Sequence, residues 1–354
     1  MGKIKVLVVD DSALMRKIIS DMINEEADME VINTARNGED LFTKLDNNLP
    51  DVITLDVEMP KMDGISALKE MKKKNMNIPV IVLSSVSKEG PHMTMDCLEA
   101  GAFDFLPKPS GAISLDINKV KIELVQKIRL AHERISTKPK KVSRSAANIN
   151  NVIETKSIKR IGIDKIEAVV IGASTGGPKA LYTVVTSLPE YLGVPVFIVQ
   201  HMPVGFTKAF SERLNLNSKI KVVEAQEGMN VEKSTVYIAP GGFHMEVYKD
   251  MKIHLNTEPT LWGVRPAVDK LFLSAANVYK NRIISVVLTG MGKDGSQGTV
   301  EIKKSGGITI AEDKSTCTIY GMPKAAYETG MVDIVLPIDS IAYEIVKVVL
   351  GNRG

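Results

Sequence analysis

The chain has only two cysteines, Cys97 and Cys317, far apart and without the short spacings that hold zinc, so each is expected as a small buried hydrophobe. Its five histidines, His92, His132, His201, His244 and His254, include no H-x-x-x-H pair, which argues against a transition-metal centre. No apolar run approaches the roughly twenty residues that cross a bilayer. The N-terminus enters an apolar strand directly, with no basic-then-apolar leader. A soluble cytoplasmic protein without membrane insertion is the expectation. No heptad repeat marks an association stripe, so a monomer is expected.

What is present suits two cores. A chain of 354 residues exceeds the usual single domain, and 44% hydrophobic content can fill both. The net charge of +3 is concentrated: between Thr137 and Arg160, seven basic residues (Lys138, Lys140, Lys141, Arg144, Lys156, Lys159, Arg160) face one acid, Glu154. The rest of the chain is therefore net negative, and nucleic-acid binding by a folded domain is not expected. With Pro139, Ser143, Ser145 and the polar stretch Asn148 to Asn151, residues 137–164 read as a basic flexible linker. A basic arm touching acidic partners is the alternative for this run.

In residues 1–136, strand-like runs at Ile4–Val9, Val52–Leu55, Val80–Leu83 and Phe103–Leu106 alternate with helix-like stretches, the pattern of a doubly wound parallel α/β sheet. Such sheets place chemistry beyond the carboxyl ends of their strands. There lie Asp10 and Asp11, Asp56, Ser84 and Lys108. Clustered carboxylate oxygens suit Mg²⁺, and a facing ammonium can neutralise a transferred phosphoryl group, with Asp56 as phosphoacceptor. Any single strand-end Asp is better explained by solvation or helix capping; agreement at four strand ends favours a pocket.

The segments Val8-Val-Asp-Asp-Ser12, Leu55-Asp-Val-Glu-Met-Pro60, Met62-Asp-Gly64 and Phe105-Leu-Pro-Lys-Pro109 resemble the signatures of response-regulator receiver domains. The resemblance implies that Asp11 and Asp56 ligate Mg²⁺ with Asp10 assisting. It also implies that Asp56 accepts phosphate from a histidine kinase and that Ser84 and Lys108 sense the phosphoryl group.

The second half opens on Glu167-Ala-Val-Val-Ile-Gly-Ala-Ser-Thr-Gly-Gly177, where an apolar run leads into a literal G-x-S-x-G and then a helix-like stretch, Pro178–Leu188. Ser174 thus sits on a tight strand-to-helix turn, where unpaired backbone N–H groups can hold an oxyanion. The pattern alone fits a Gly-rich phosphate or dinucleotide loop equally well. Further strand-like runs follow at Val194–Val199, Thr235–Ile238, Ile283–Leu288, Gly307–Ile310 and Val332–Leu336, again parallel α/β. His244–Tyr248 and Met251–Leu255 read as a β-hairpin attached to that sheet. His201 follows a neighbouring strand and can act as base; His244 is a competitor better placed to line the pocket rim. Asp294, in the Gly-rich turn Thr289-Gly-Met-Gly-Lys-Asp-Gly295, is the candidate third member, with helix N-capping as a compatible role.

With the elbow, Gln200-His-Met-Pro203, Ala239-Pro-Gly-Gly-Phe-His244, Val264-Arg-Pro-Ala-Val-Asp269, Thr289–Gly295 and Ala311-Glu-Asp…Tyr320-Gly-Met-Pro323 resemble the catalytic domain of chemotaxis protein-glutamate methylesterases, here residues 165–354. The resemblance implies a Rossmann-like serine hydrolase acting on γ-methyl glutamyl esters of methyl-accepting chemotaxis receptors, with deamidation of receptor glutamines by the same acyl-transfer chemistry. Ser174 would attack, His201 shuttle the proton and Asp294 orient His201. N–H groups at Thr175 and Met291 would form the oxyanion hole, Arg265 would dock the receptor, and no cofactor would serve the esterase step. Ala267 departs from the serine usual at its position. From the two-part architecture, the unphosphorylated receiver is expected to pack over the Ser174 edge until Asp56 is phosphorylated.

Two other readings compete. A dinucleotide reductase would use the same first turn, but the following strand ends in Gln200-His201 with no acid for a ribose, and the Y-x-x-x-K at Tyr320–Lys324 contains Gly321 and Pro323. A receiver-linked adaptor without hydrolase activity is the non-enzyme alternative.

Overall fold

The computed structural model describes residues 2–46, 48–85, 87, 89–108, 115–136 and 165–351. The expected linker, 137–164, lies outside the described residues. The chain forms two compact units, Met1–Val142 and Ser143–Gly354.

The first unit alternates β1 (Ile4–Val9), α1 (Ala13–Asn24), β2 (Met29–Ala35), α2 (Gly38–Leu45), β3 (Val52–Asp56), α3 (Gly64–Lys73), β4 (Val80–Ser84), α4 (Gly90–Ala100), β5 (Asp104–Pro107) and α5 (Leu115–Ser136). Its sheet is parallel throughout, in the order β2-β1-β3-β4-β5. Both β3 and β4 are buried along their whole length, as in a parallel sheet covered on two faces, which is why they read as unbroken apolar runs. Strand order reverses between β1 and β3, so the crevice used by such sheets opens beyond Val9 and Asp56. The capping expected of strand-end residues falls on others: Ser12, Asn37 and Asp63 cap α1, α2 and α3. Asp10, Asp11 and Asp56 are not the caps of these helices.

The second unit contains β6 (Ala168–Ala173), α6 (Gly177–Thr186), β7 (Val196–Gln200), α7 (Phe206–Asn217), β8 (Lys221–Glu224), β9 (Thr235–Ile238), β10 (His244–Val247), β11 (Ile253–Asn256), α8 (Val268–Tyr279), β12 (Ile283–Val287), α9 (Ser296–Lys304), β13 (Ile308–Glu312), α10 (Met322–Glu328), β14 (Ile334–Leu336) and α11 (Ile338–Leu350). Seven parallel strands run in the order β14-β13-β12-β6-β7-β9-β8. From β6 the chain builds outward through β7 and β9, then returns to add β12 on the other side. The edge beyond β6 and β12 is therefore a switch point. The hairpin β10–β11 forms a two-stranded antiparallel sheet of its own, not hydrogen-bonded to the seven strands. It is fastened to α8 instead, where Val247 N–H donates to Ser274 Oγ at 3.2 Å.

The core beneath this edge is apolar and continuous. Ala168, Val170, Phe197, Tyr237, Val268, Phe272 and Val287 are buried in one cluster, and Phe197 stacks on Tyr237 with centroids 5.6 Å apart. Fully burying one such aliphatic side chain contributes about 1.5–3 kcal/mol. That rigidity fixes the strand ends carrying the functional groups. Among the described residues, no helix is long and apolar enough to cross a membrane.

Candidate active site and acidic pocket

Ser174 begins where β6 stops. Its N–H donates to Thr289 O at 3.0 Å, and its carbonyl accepts from Gly177 N–H at 2.7 Å and from Gln200 Nε2 at 3.0 Å. Two glycines permit this closure. A Cβ on Gly177 would lie 1.9 Å from Gln200 Oε1, and one on Gly290 would lie 2.8 Å from Ser174 Cβ. Helix α6 starts with Pro178 in its first turn and without a side-chain cap, so backbone N–H groups face the edge beside half-buried Ser174.

Pairing of Ala173 with Gln200 puts Ser174 and His201 side by side at the ends of β6 and β7, about 4.8 Å apart along the hydrogen-bonding direction. His201 N–H donates to Ala173 O at 3.1 Å. His201 Nε2 meets Asp294 Oδ2 at 2.8 Å, with Asp294 only 2% exposed. The same carboxylate accepts Val268 N–H on Oδ2 at 2.6 Å and Asp269 N–H on Oδ1 at 2.8 Å. Asp294 therefore caps a helix, but α8 rather than the α9 that follows it in sequence. Ala267 is the N-cap residue of α8 and has no side-chain acceptor to offer, so Asp294 supplies it from another loop. The N-terminus of α8 in turn favours its negative charge. Among the described residues, no hydrogen bond joins Ser174 Oγ to His201.

Thr175 is buried and Met291 half-buried, on the two turns that close around Ser174. His244 is fully buried rather than on a rim. Its Nδ1 accepts Ala267 N–H and its Nε2 lies 3.2 Å from Pro259 O, and desolvation lowers its pKa. Arg265 Nη1 donates to Thr257 O at 2.7 Å and Glu258 O at 2.9 Å, stapling that loop.

Three buried residues received no role from sequence. Thr289 takes Ser174 N–H on its carbonyl, reaches Thr175 O with its hydroxyl at 3.0 Å and accepts Ile319 N–H on it at 2.8 Å. Glu312, at the end of β13, accepts Thr289 N–H at 2.8 Å and Thr316 Oγ1 at 3.0 Å; burial raises its pKa. Asp269 accepts Gly298 N–H at 2.7 Å and Trp262 Nε1 at 2.8 Å, and its pKa is raised by burial with the Asp294 charge adding. Each lies inside a sequence motif of the domain, Val264–Asp269, Thr289–Gly295 or the segment beginning at Ala311, and that is the only local signal it carries.

In the first unit, carboxylate oxygens of Asp10, Asp11 and Asp56 lie within 4.8 Å of one another, with Asp10 and Asp56 buried and Asp11 exposed. Lys108 Nζ sits 2.7 Å from Asp10 Oδ2 and 2.8 Å from Asp56 Oδ2. Burial pushes the Asp56 carboxyl up to about 6 despite the opposing pull of Lys108. The Lys108 ammonium loses hydration on burial, which lowers its pKa, but hydrogen bonds to Asp10 and Asp56 outweigh this and raise it. Ser84 Oγ is turned inward, accepting from Thr94 Oγ1 at 2.6 Å and lying 3.2 Å from Gly90 O. Three hard oxygen donors with too few cations to balance them fit a Mg²⁺ ion.

Residues 169–345 match the family model for CheB methylesterase, and residues 6–117 that for the response regulator receiver domain. A protein-glutamate methylesterase/protein-glutamine glutaminase of Clostridium acetobutylicum is 57% identical over 353 residues, covering all of both chains. The chain belongs to this family. Its Pyrococcus horikoshii member is 46% identical over 355 residues, 99% of this chain and 95% of that one. The crystal structure of the Thermotoga maritima CheB methylesterase catalytic domain matches 52% of this chain and 99% of that domain, with 43% identity and a TM-score of 0.51.

Membership in the methylesterase family disfavours both competing readings of the Ser174 turn. Ser174, His201, Asp269, Thr289, Asp294 and Glu312 all fall inside the methylesterase match, and Asp10, Asp11, Asp56, Ser84 and Lys108 inside the receiver match.

Proposed function

We propose that the chain is a cytoplasmic, phosphorylation-activated protein-glutamate methylesterase and protein-glutamine glutaminase acting on methyl-accepting chemotaxis receptors. Residues 1–136 are its receiver and 165–354 its catalytic domain. The observation that carries this reading is the 2.8 Å contact of His201 with Asp294 at the strand end beside Ser174.

Asp294 faces only donors, so the His201 nitrogen directed at it carries the hydrogen and Nδ1 is the basic nitrogen. His201 takes the Ser174 proton as Oγ attacks the ester carbonyl, and N–H groups of Thr175 and Met291 hold the resulting oxyanion. As the bond from the carbonyl carbon to the leaving group breaks, His201 gives the proton to the methoxy oxygen, which departs as methanol, or to the amide nitrogen of a glutamine, which departs as ammonia. Water, deprotonated by His201, then frees the glutamate from Ser174. Arg265 docks the receptor through Nη2, since Nη1 is held by Thr257 O and Glu258 O and Nε is buried.

Asp56 takes a phosphoryl group from the chemotaxis histidine kinase, with Asp11 and Asp56 holding Mg²⁺ and Asp10 assisting. When bound there, Mg²⁺ would supply charge neutralisation for the incoming phosphoryl group. Lys108 and Ser84 sense the modified Asp56; Ser84 would have to leave its bond with Thr94 to do so.

Methanol release from methylated receptor membranes tests the whole scheme, comparing wild type with Ser174→Ala, each with and without a small phosphodonor and Mg²⁺. Release by wild type alone, raised by the donor, supports both halves. Full activity in Ser174→Ala overturns the nucleophile, and no release from either protein leaves the adaptor reading standing.

A further inference from the structure

The only tryptophan of the chain occupies an unusual position. Leu261 and Val264 exchange N–H···O bonds of 3.2 and 3.1 Å, closing a tight turn whose central residues, Trp262 and Gly263, both have positive φ, 56° and 81°. Turns of this kind favour Asn, Asp or Gly at the first central position. A bulky aromatic there is an outlier, and such conformations persist where surrounding contacts impose them, often at functional sites.

Two contacts hold the indole. Nε1 donates to the buried Asp269 carboxylate at 2.8 Å, and Lys293 Nζ lies 4.2 Å from the ring centroid. Both lead to the active site. Asp269 N–H donates to Asp294, and Lys293 immediately precedes Asp294 on the turn whose Gly290 abuts Ser174. Even so, Trp262 is 40% exposed. Lys293 is exposed as well, and among the described residues no carboxylate pairs with it. A residue needed only to make the turn would be Asn or Gly. One needed only to satisfy Asp269 would be buried. An indole surface and an unpaired ammonium are instead displayed together beside the carboxylate that orients His201.

We propose that Trp262 and Lys293 form a substrate-contacting wall that determines specificity for the protein segment around the reacting ester. The indole packs against side chains flanking the glutamyl ester, and the Lys293 ammonium meets carboxylates on the same segment. This rests on the methylesterase reading above. Its chemistry matches, because every ester hydrolysed leaves a glutamate carboxylate, so the segment is acidic wherever it is not methylated.

The test uses the full chain carrying Trp262→Asn, since Asn suits the positive φ of the turn. With a methylated receptor fragment, KM rises about fivefold or more while kcat stays within about twofold, the pattern of lost binding shared by ground and transition states. With N-acetyl-glutamate γ-methyl ester amide, which lacks flanking residues, kcat/KM stays within about twofold of wild type. In Ser174→Ala, the fluorescence of Trp262 changes saturably as the methylated fragment is added. An unchanged KM in Trp262→Asn, or no fluorescence change, overturns the proposal while the methylesterase reading stands. An equal loss on the small ester overturns it too, and makes Trp262 a positioning residue acting through Asp269. If wild type releases no methanol from the fragment, the methylesterase reading fails and the proposal with it.

Discussion

His201 meets Asp294 through Nε2, and the same Asp294 carboxylate holds the first two N–H groups of helix α8. One side chain therefore fixes the base and the helix together. Asp294→Asn turns one oxygen into a donor that faces donors. The substitution is expected to lower kcat about 10³–10⁴-fold through the wrong His201 tautomer. It is also expected to destabilise the chain by about 1–2 kcal/mol through the lost cap. Steady-state methanol release and urea denaturation of the same variant measure both; a kcat within tenfold of wild type would sink the assignment.

Thr289 joins the two turns that carry Thr175 and Met291, the proposed oxyanion donors. Val keeps the branched shape but leaves Thr175 O and Ile319 N–H without the hydroxyl, and each unpaired buried group costs about 1–3 kcal/mol. Thr289→Val should reduce kcat roughly 10–100-fold with little change in KM, from misplaced donors. Thr289→Ser should recover most of the rate. Failure of Ser to rescue would mean that the methyl group, not the hydroxyl, matters.

Parallel strands buried on both faces announce themselves as apolar runs, so β1, β3, β4, β6, β7, β9, β12 and β13 were legible. Of the edge strands, β5 and β14 were legible as the runs Phe103–Leu106 and Val332–Leu336, whereas β2, which contains Glu30, Asn33 and Thr34, and β8, which begins with Lys221, were not among the expected runs. Ser174, His201 and Asp294 were legible as candidates because each stands at or just beyond a strand end, Ser174 and Asp294 in glycine-rich turns and His201 directly after β7. Asp269, Thr289, Glu312 and Trp262 were not, since what they do depends on partners up to 114 residues away that no local pattern names. Asp294 illustrates both cases, because its capping role was anticipated while the helix it caps lies 26 residues upstream.

The Lys108 ammonium bridges the carboxylates of Asp10 and Asp56, while the Arg16 guanidinium holds the backbone carbonyls of Asp10 and Asp11. Asp56→Asn removes the nucleophilic oxygen. It should incorporate no acid-labile phosphate from a small phosphodonor with Mg²⁺ and lose all donor stimulation of methanol release. Chelating Mg²⁺ in the wild type should have the same effect on phosphate incorporation. Donor-stimulated methanol release by Asp56→Asn would assign the phosphoacceptor elsewhere.

His244 ties the hairpin to the start of α8, and its protonation opposes the fold. Nδ1 accepts Ala267 N–H, so a proton added there would face a donor. Desolvation is the main cause of its lowered pKa, with the charges of Lys270 and Arg265 acting in the same direction and Pro259 O and Glu246 opposing. The unfolded chain takes up this proton near the ordinary value of about 6.5, while the folded chain takes it up only at lower pH. Within that window the unfolded state binds more protons, so stability falls as pH drops below about 6.5. His244→Asn keeps an acceptor for Ala267 but cannot titrate. Urea denaturation followed by the fluorescence of Trp262, which reports on the second unit, should therefore show the wild type losing more stability than His244→Asn between about pH 7.5 and pH 5.5. Other titrating groups are common to both proteins and cancel in the difference. Parallel loss in the two proteins would show that His244 is protonated equally easily folded and unfolded, and that the hairpin owes nothing to its neutral state.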